Sequence, residues 1–100
     1  MAPINATEFM NRLQNGEAIN VLDVREEIEY TTYNMGGKNI PLSLLPHSLH
    51  RLNYNKTDEI VVICKIGLRS ETARLLLNEN GYKNARNLSG GLMAILKLHQ

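Results

Sequence analysis

The run Ile60-Val61-Val62-Ile63-Cys64 constrains this chain more than any other feature. It is apolar throughout and largely β-branched, without the alternation of a half-exposed strand, so it reads as a central parallel strand covered by helices on both faces. After Lys65-Ile66-Gly67-Leu68-Arg69, the residues Ala73, Leu76 and Leu77 recur on one helical face until Asn80-Gly81, where Gly81 suits the position just past a helix end. Strand, short loop and helix make the repeating unit of an α/β sheet, and such sheets bind ligands at the carboxyl ends of their strands. That rule points at Cys64.

The rest of the chain repeats the alternation. Asn5 with Glu8 resembles a capping box, and Phe9, Met10 and Leu13 continue at helical spacing until Gly16 supplies a stop. Ile19, Val21, Leu22 and Val24 predict a strand with the polar pair Asp23 and Arg25 at its end. A helical turn through Ile28 and Tyr30, the Gly36-Gly37 break and the apolar stretch Ile40-Pro41-Leu42 come next. Leu45, Leu49 and Leu52 are spaced for a short helix. Ala85 to Leu88 predicts the last strand, and Ser89-Gly90-Gly91 opens a closing helix through Leu92, Ala94, Ile95 and Leu98. A length of 100 residues is the material of one small core, so residues 1–100 are expected to form a single domain.

Charge and cysteine usage narrow the partners. A formal charge of +1 gives no general attraction to nucleic acid or an anionic membrane, so any anion binding must be local. The single cysteine excludes an intramolecular disulfide, and a lone thiol suits a reducing compartment. The first residues lack the basic-then-apolar pattern of a signal peptide and no apolar run approaches a bilayer-spanning length, so the cytoplasm is the expected location. His47, His50 and His99 lack metal-site spacing, nothing places a base beside Cys64, and they read as surface residues.

Taken alone, a cysteine ending an apolar strand is a small buried hydrophobe. The residues after it reverse that reading. Gly67 permits a turn closed to other residues, so that successive N–H groups can face inward as an anion nest, and Ser70 can cap the following helix. A thiolate there sits near the positive end of a helix, with Lys65 and Arg69 close by, and its pKa should lie below that of a free thiol. Lys65 and Arg69 are equally readable as solvated surface charges.

These residues carry a resemblance. Cys64-Lys65-Ile66-Gly67-Leu68-Arg69-Ser70 resembles the active-site loop of rhodanese-type sulfurtransferases, and three further segments agree with that family in order. They are Ile4 to Phe9, Val21 to Glu26 and Gly81 to Gly91, so the likeness covers nearly the whole chain. It implies a small parallel sheet of about five strands flanked by helices on both faces. It also implies a sulfurtransferase in which Cys64 takes the sulfane sulfur of a small donor such as thiosulfate. The resulting persulfide passes to an external thiol, cyanide or a sulfur-carrier protein, with no metal or organic cofactor.

Carried over residue by residue, Cys64 is the nucleophile, Lys65, Ile66, Gly67, Leu68 and Arg69 cradle the sulfur, and Ser70 bonds at the rim. Asp23 and Arg25 match positions beside the loop, Asp23 as structural support and Arg25 as a substrate contact. Rhodanese-like domains also occur as regulatory or partner-binding modules without activity, and as tails of enzymes that activate sulfur-carrier proteins. Several positions depart from the family. The segment Tyr33 to Lys38 lacks the family's histidine, Ile66 stands where thiosulfate enzymes carry a cation, and Ile95 replaces a common tryptophan. Cysteine phosphatases separate Cys and Arg by five residues, whereas four lie between Cys64 and Arg69, a nest sized for sulfur rather than phosphate.

Overall fold

The computed structural model describes residues 1–99. Its helices are α1 (Ala6–Gln14), α2 (Glu27–Thr32), α3 (Leu68–Glu79) and α4 (Gly91–Lys97), and its strands are β1 (Val21–Asp23), β2 (Lys38–Asn39), β3 (Ile60–Ile63) and β4 (Ala85–Asn87). All pairings are parallel, in the spatial order β2-β1-β3-β4, which puts β3 inside the sheet as its composition requires.

The missing alternation in β3 has a direct cause. Ile60, Val62 and Cys64 face one core, with Leu22, Leu45, Leu52, Ala73 and Leu77, while Val61 and Ile63 face a second, with Ile4, Phe9, Leu88, Leu92 and Ile95. The sheet therefore has helices on both faces: α3 covers the first and α1 and α4 the second.

Two sequence expectations are corrected. The sheet has four strands rather than about five. Ile4 makes only an isolated parallel bridge to Leu88, because the next residue, Asn5, already caps α1 by accepting the Glu8 N–H at 2.8 Å. The helix read from Leu45, Leu49 and Leu52 is two separate 3₁₀ turns, Leu45–His47 and Leu49–Arg51, parted by Ser48 at φ −125°. Leu45 and Leu52 are nonetheless fully buried, so their spacing recorded the burial correctly while misjudging the backbone.

Strand register sets up the site. Asp23 stands beside Ile63, and Val62 beside Asn87, so the carboxyl ends of β1, β3 and β4 lie side by side, with Cys64 immediately beyond β3. No helix is long and apolar enough to cross a membrane among the described residues.

Candidate active site

Cys64 is almost completely buried at the end of β3, and the loop after it wraps back over the sulfur. Gly67, at φ +100°, takes a conformation that side-chain-bearing residues rarely adopt and serves as the N-cap of α3. That turn directs the Gly67 N–H at Cys64 Sγ, 3.1 Å away, and the Ser70 N–H reaches the same atom at 3.3 Å. Burial pushes the thiol up. The Ser70 hydroxyl and the N–H groups of Ser70, Gly67 and Ile66 together outweigh it, so the thiol titrates below its ordinary value.

Ser70 differs from expectation. It is the third residue of α3 rather than its cap, because the helix begins at Leu68, and its hydroxyl turns inward. Its Oγ lies 3.2 Å from Cys64 Sγ and donates to Asn87 Oδ1 at 2.5 Å. An amide oxygen only accepts, so in the thiol form the Ser70 proton belongs to Asn87 and the S–H donates to Ser70. When the thiol ionises, the hydroxyl can turn its proton to the sulfur. The other end of the same amide, Asn87 Nδ2, donates to the Gly67 carbonyl at 3.1 Å. Asn87 thus ties β4 to both the turn and the hydroxyl of the loop. The sequence placed it in a strand and attached no chemistry to it.

Two ion pairs flank this nest. Arg25 is buried and donates from Nε and Nη2 to the fully buried Asp23 carboxylate, at 3.0 and 2.8 Å, and from Nη2 to the Tyr33 carbonyl at 2.5 Å. Arg69 projects to α2, where its two terminal nitrogens donate to the two oxygens of Glu29 at 2.6 and 3.1 Å. That contact holds the Glu29 carboxyl down to about 2, with burial opposing and the Glu26 N–H assisting. Glu29 is a second neighbour that sequence reading missed; its only local signal was the polar face of a short helix.

Of the other residues expected to cradle the sulfur, Lys65 and Ile66 in the loop and Leu68 at the start of α3 are exposed at the mouth, while Gly67 is buried. An open cleft of about 360 Å³ beside the loop is lined by Arg25, Ile28, Glu29, Lys65, Leu92 and Leu96, with Thr32, Tyr33 and Met93. The loop is pinned from below by α4: the Leu92 N–H donates to the Cys64 carbonyl at 2.9 Å and the Met93 N–H to the Lys65 carbonyl at 3.0 Å. His47, His50 and His99 are exposed, and none is hydrogen-bonded to Cys64. The arrangement presents a buried sulfur, converging N–H donors and an adjacent cleft, which suits a thiolate nucleophile and a second, negatively charged sulfur bound to it.

Comparison with known proteins gives a consistent result. The family model described as the rhodanese-like domain matches residues 5–98. YrkF of Bacillus subtilis (strain 168), named as a sulfur carrier protein, is 36% identical over 90 residues, covering 89% of this chain and 48% of its own length. The adenylyltransferase and sulfurtransferase MOCS3-2 of Zea mays is 33% identical over 99 residues, 93% of this chain and 20% of that protein. The chain therefore spans less than half the length of these two relatives. Among solved structures, the human single-domain sulfurtransferase TSTD1 superposes with a TM-score of 0.81 at 28% identity, covering 95% of each chain.

Proposed function

The chain belongs to the rhodanese-like family, and from that premise we propose that it is a sulfurtransferase working through a persulfide on Cys64. The carrying observation is the sulfur of Cys64 receiving the Gly67 and Ser70 N–H groups at 3.1 and 3.3 Å. The Cys64 thiolate attacks the outer sulfur of a donor. One S–S bond forms as another breaks, and the donor remnant leaves with the electron pair, as sulfite when the donor is thiosulfate. An acceptor thiolate or cyanide then attacks the outer sulfur and releases the Cys64 thiolate. Splitting the transfer in two lets the same N–H groups stabilise the charge on sulfur at each stage.

In this reading Gly67 and Ser70 hold the persulfide, and Lys65, Ile66, Leu68 and Arg69 shape the mouth through which donor and acceptor approach. Arg25 and Asp23 fix the end of β1 beside it. These 100 residues hold no second cysteine to resolve the persulfide, so the acceptor lies outside this domain: a small thiol, cyanide or a sulfur-carrier protein. A reducing location such as the cytoplasm supplies such thiols.

The test is intact-protein mass after incubation with thiosulfate or an organic persulfide. A gain of one sulfur atom, reversed by reductant and absent in Cys64→Ser, supports the proposal. The maize relative, in which the matching segment is one fifth of a longer protein, favours a second reading as a partner-binding unit. No mass gain from any donor would favour that one.

A further inference from the structure

Both arginines beside the nest are already matched by carboxylates. Arg25 lies on Asp23 at 2.8 Å, and Arg69 lies on Glu29 at 2.6 Å in a two-pronged contact. Two positive and two negative groups cancel, which leaves Lys65 as the loop cation without an ion pair among the described residues. Glu29 also lines the cleft next to the loop, with Arg25 and Lys65. A donor approaching through that cleft meets Glu29 beside the unpaired Lys65, and both terminal nitrogens of Arg69 are already engaged by the Glu29 carboxylate.

Donors of sulfane sulfur differ in charge. Thiosulfate is a dianion, with charge on both the sulfur to be transferred and the sulfonate that leaves. An organic persulfide, R–S–SH, carries at most one negative charge on its sulfane sulfur. A single negative charge is matched by Lys65 alone, whereas a dianion calls for a second cation, and Arg69 beside the nest is held by Glu29.

Resting on the sulfur-transfer reading, we propose that Glu29 is a specificity-determining residue, which holds Arg69 in a neutral pair and so biases the site against dianionic donors and toward organic persulfides. The favoured step is attack of the Cys64 thiolate on the outer sulfur of R–S–SH. A Cys64–S bond to the outer sulfur forms, the S–S bond of the donor persulfide breaks, and R–S⁻ leaves with the electron pair while the proton stays on the transferred sulfur.

The experiment compares kcat/KM for thiosulfate and for cysteine persulfide in the unaltered protein, in Glu29→Gln and in Glu29→Gln with Arg69→Met. Glutamine keeps a hydrogen-bond acceptor for Arg69 and removes only the charge. The ratio of the two constants, thiosulfate over persulfide, is expected to rise about tenfold in Glu29→Gln, equivalent to ~1.4 kcal/mol, and the rise should vanish when Arg69 is also replaced. Any change in thiol ionisation affects both donors and cancels in the ratio. A ratio that does not move, or a rise that survives loss of Arg69, overturns the proposal. Calorimetric binding of thiosulfate in a Cys64→Ser background separates this from the reading beneath it. There Glu29→Gln should tighten binding by a similar factor even if neither donor turns over, and unchanged binding counts against the role of Glu29.

Discussion

At the scale of single residues, the site is a competition for one proton. Ser70 has a single hydroxyl hydrogen, and Asn87 and Cys64 both lie within its reach, at 2.5 and 3.2 Å. Ser70→Ala removes a group that favours the thiolate, so the thiol pKa should rise; the pH dependence of alkylation by iodoacetamide reads it directly, and an unmoved profile would leave the nest to the backbone alone. Asn87→Ala removes two hydrogen bonds, to the Gly67 carbonyl and from Ser70, and should cost about 1–2 kcal/mol of stability, measured by urea unfolding. Cys64, Gly67 and Ser70 were legible in the sequence because they sit within seven consecutive residues. Asn87 and Glu29 reach the loop from 17 and 40 residues away, and local periodicity carries no record of such distances. The same limit explains Arg69: the sequence put it in the loop, whereas it is the second residue of α3, and its engagement with α2 required the fold.

Elements decide whether those residues meet. The loop rests on the start of α4, where Gly91 adopts φ +62° with its Cα pressed against the backbone of Cys64 and Lys65. A Cβ there would lie 2.5 Å from both carbonyl oxygens, and neither is a flexible side-chain end. Gly91→Ala should therefore destabilise by roughly 2–4 kcal/mol through clash and backbone strain together, and it should also raise the thiol pKa by disturbing the loop. Unfolding midpoints and the alkylation profile together test this, and a tolerated alanine with normal thiol reactivity would refute it. The sequence identified α1, β3, α3 and α4 from caps, apolar runs and terminal glycines. It was vaguer from Glu26 to Pro46, for a physical reason. Helix α2 has no buried residue and β2 is only two residues long, so neither leaves a periodic apolar signature. They are held instead by tertiary bonds, including that of Arg25 to the Tyr33 carbonyl.

Over the whole molecule, charge pairs link segments far apart in the chain. Arg12 on α1 contacts Glu17 and Glu59 at 2.7 and 2.6 Å, and Arg86 on β4 contacts Glu59 and Glu8 at 3.1 and 3.3 Å. Arg12 holds both Glu59 and Glu17 below the usual carboxylate range, as Arg69 holds Glu29 down to about 2. Such groups bind protons more readily unfolded than folded. Their contribution is complete above the ordinary value of 4.5 and is lost as pH falls through the folded-state values. The urea midpoint should accordingly decline steadily as pH drops from 4.5 toward 2, and a flat profile would show these pairs to be energetically silent. The bridge between Ile4 and Leu88 acts at the same scale. The Ile4 N–H donates to the Asn87 carbonyl and its carbonyl accepts from Ser89, while Arg86 donates to the carbonyls of Ala2 and Pro3. Unpaired backbone groups on an outermost strand are a template for adding a strand from another molecule. Here Ile4 occupies part of that template beside β4, through its single bridge. On the opposite side the outermost strand, Lys38–Asn39, is too short and too polar to invite one. The fold thus carries its own protection against strand-by-strand polymerisation, and much of it resides in a few residues that precede the first helix.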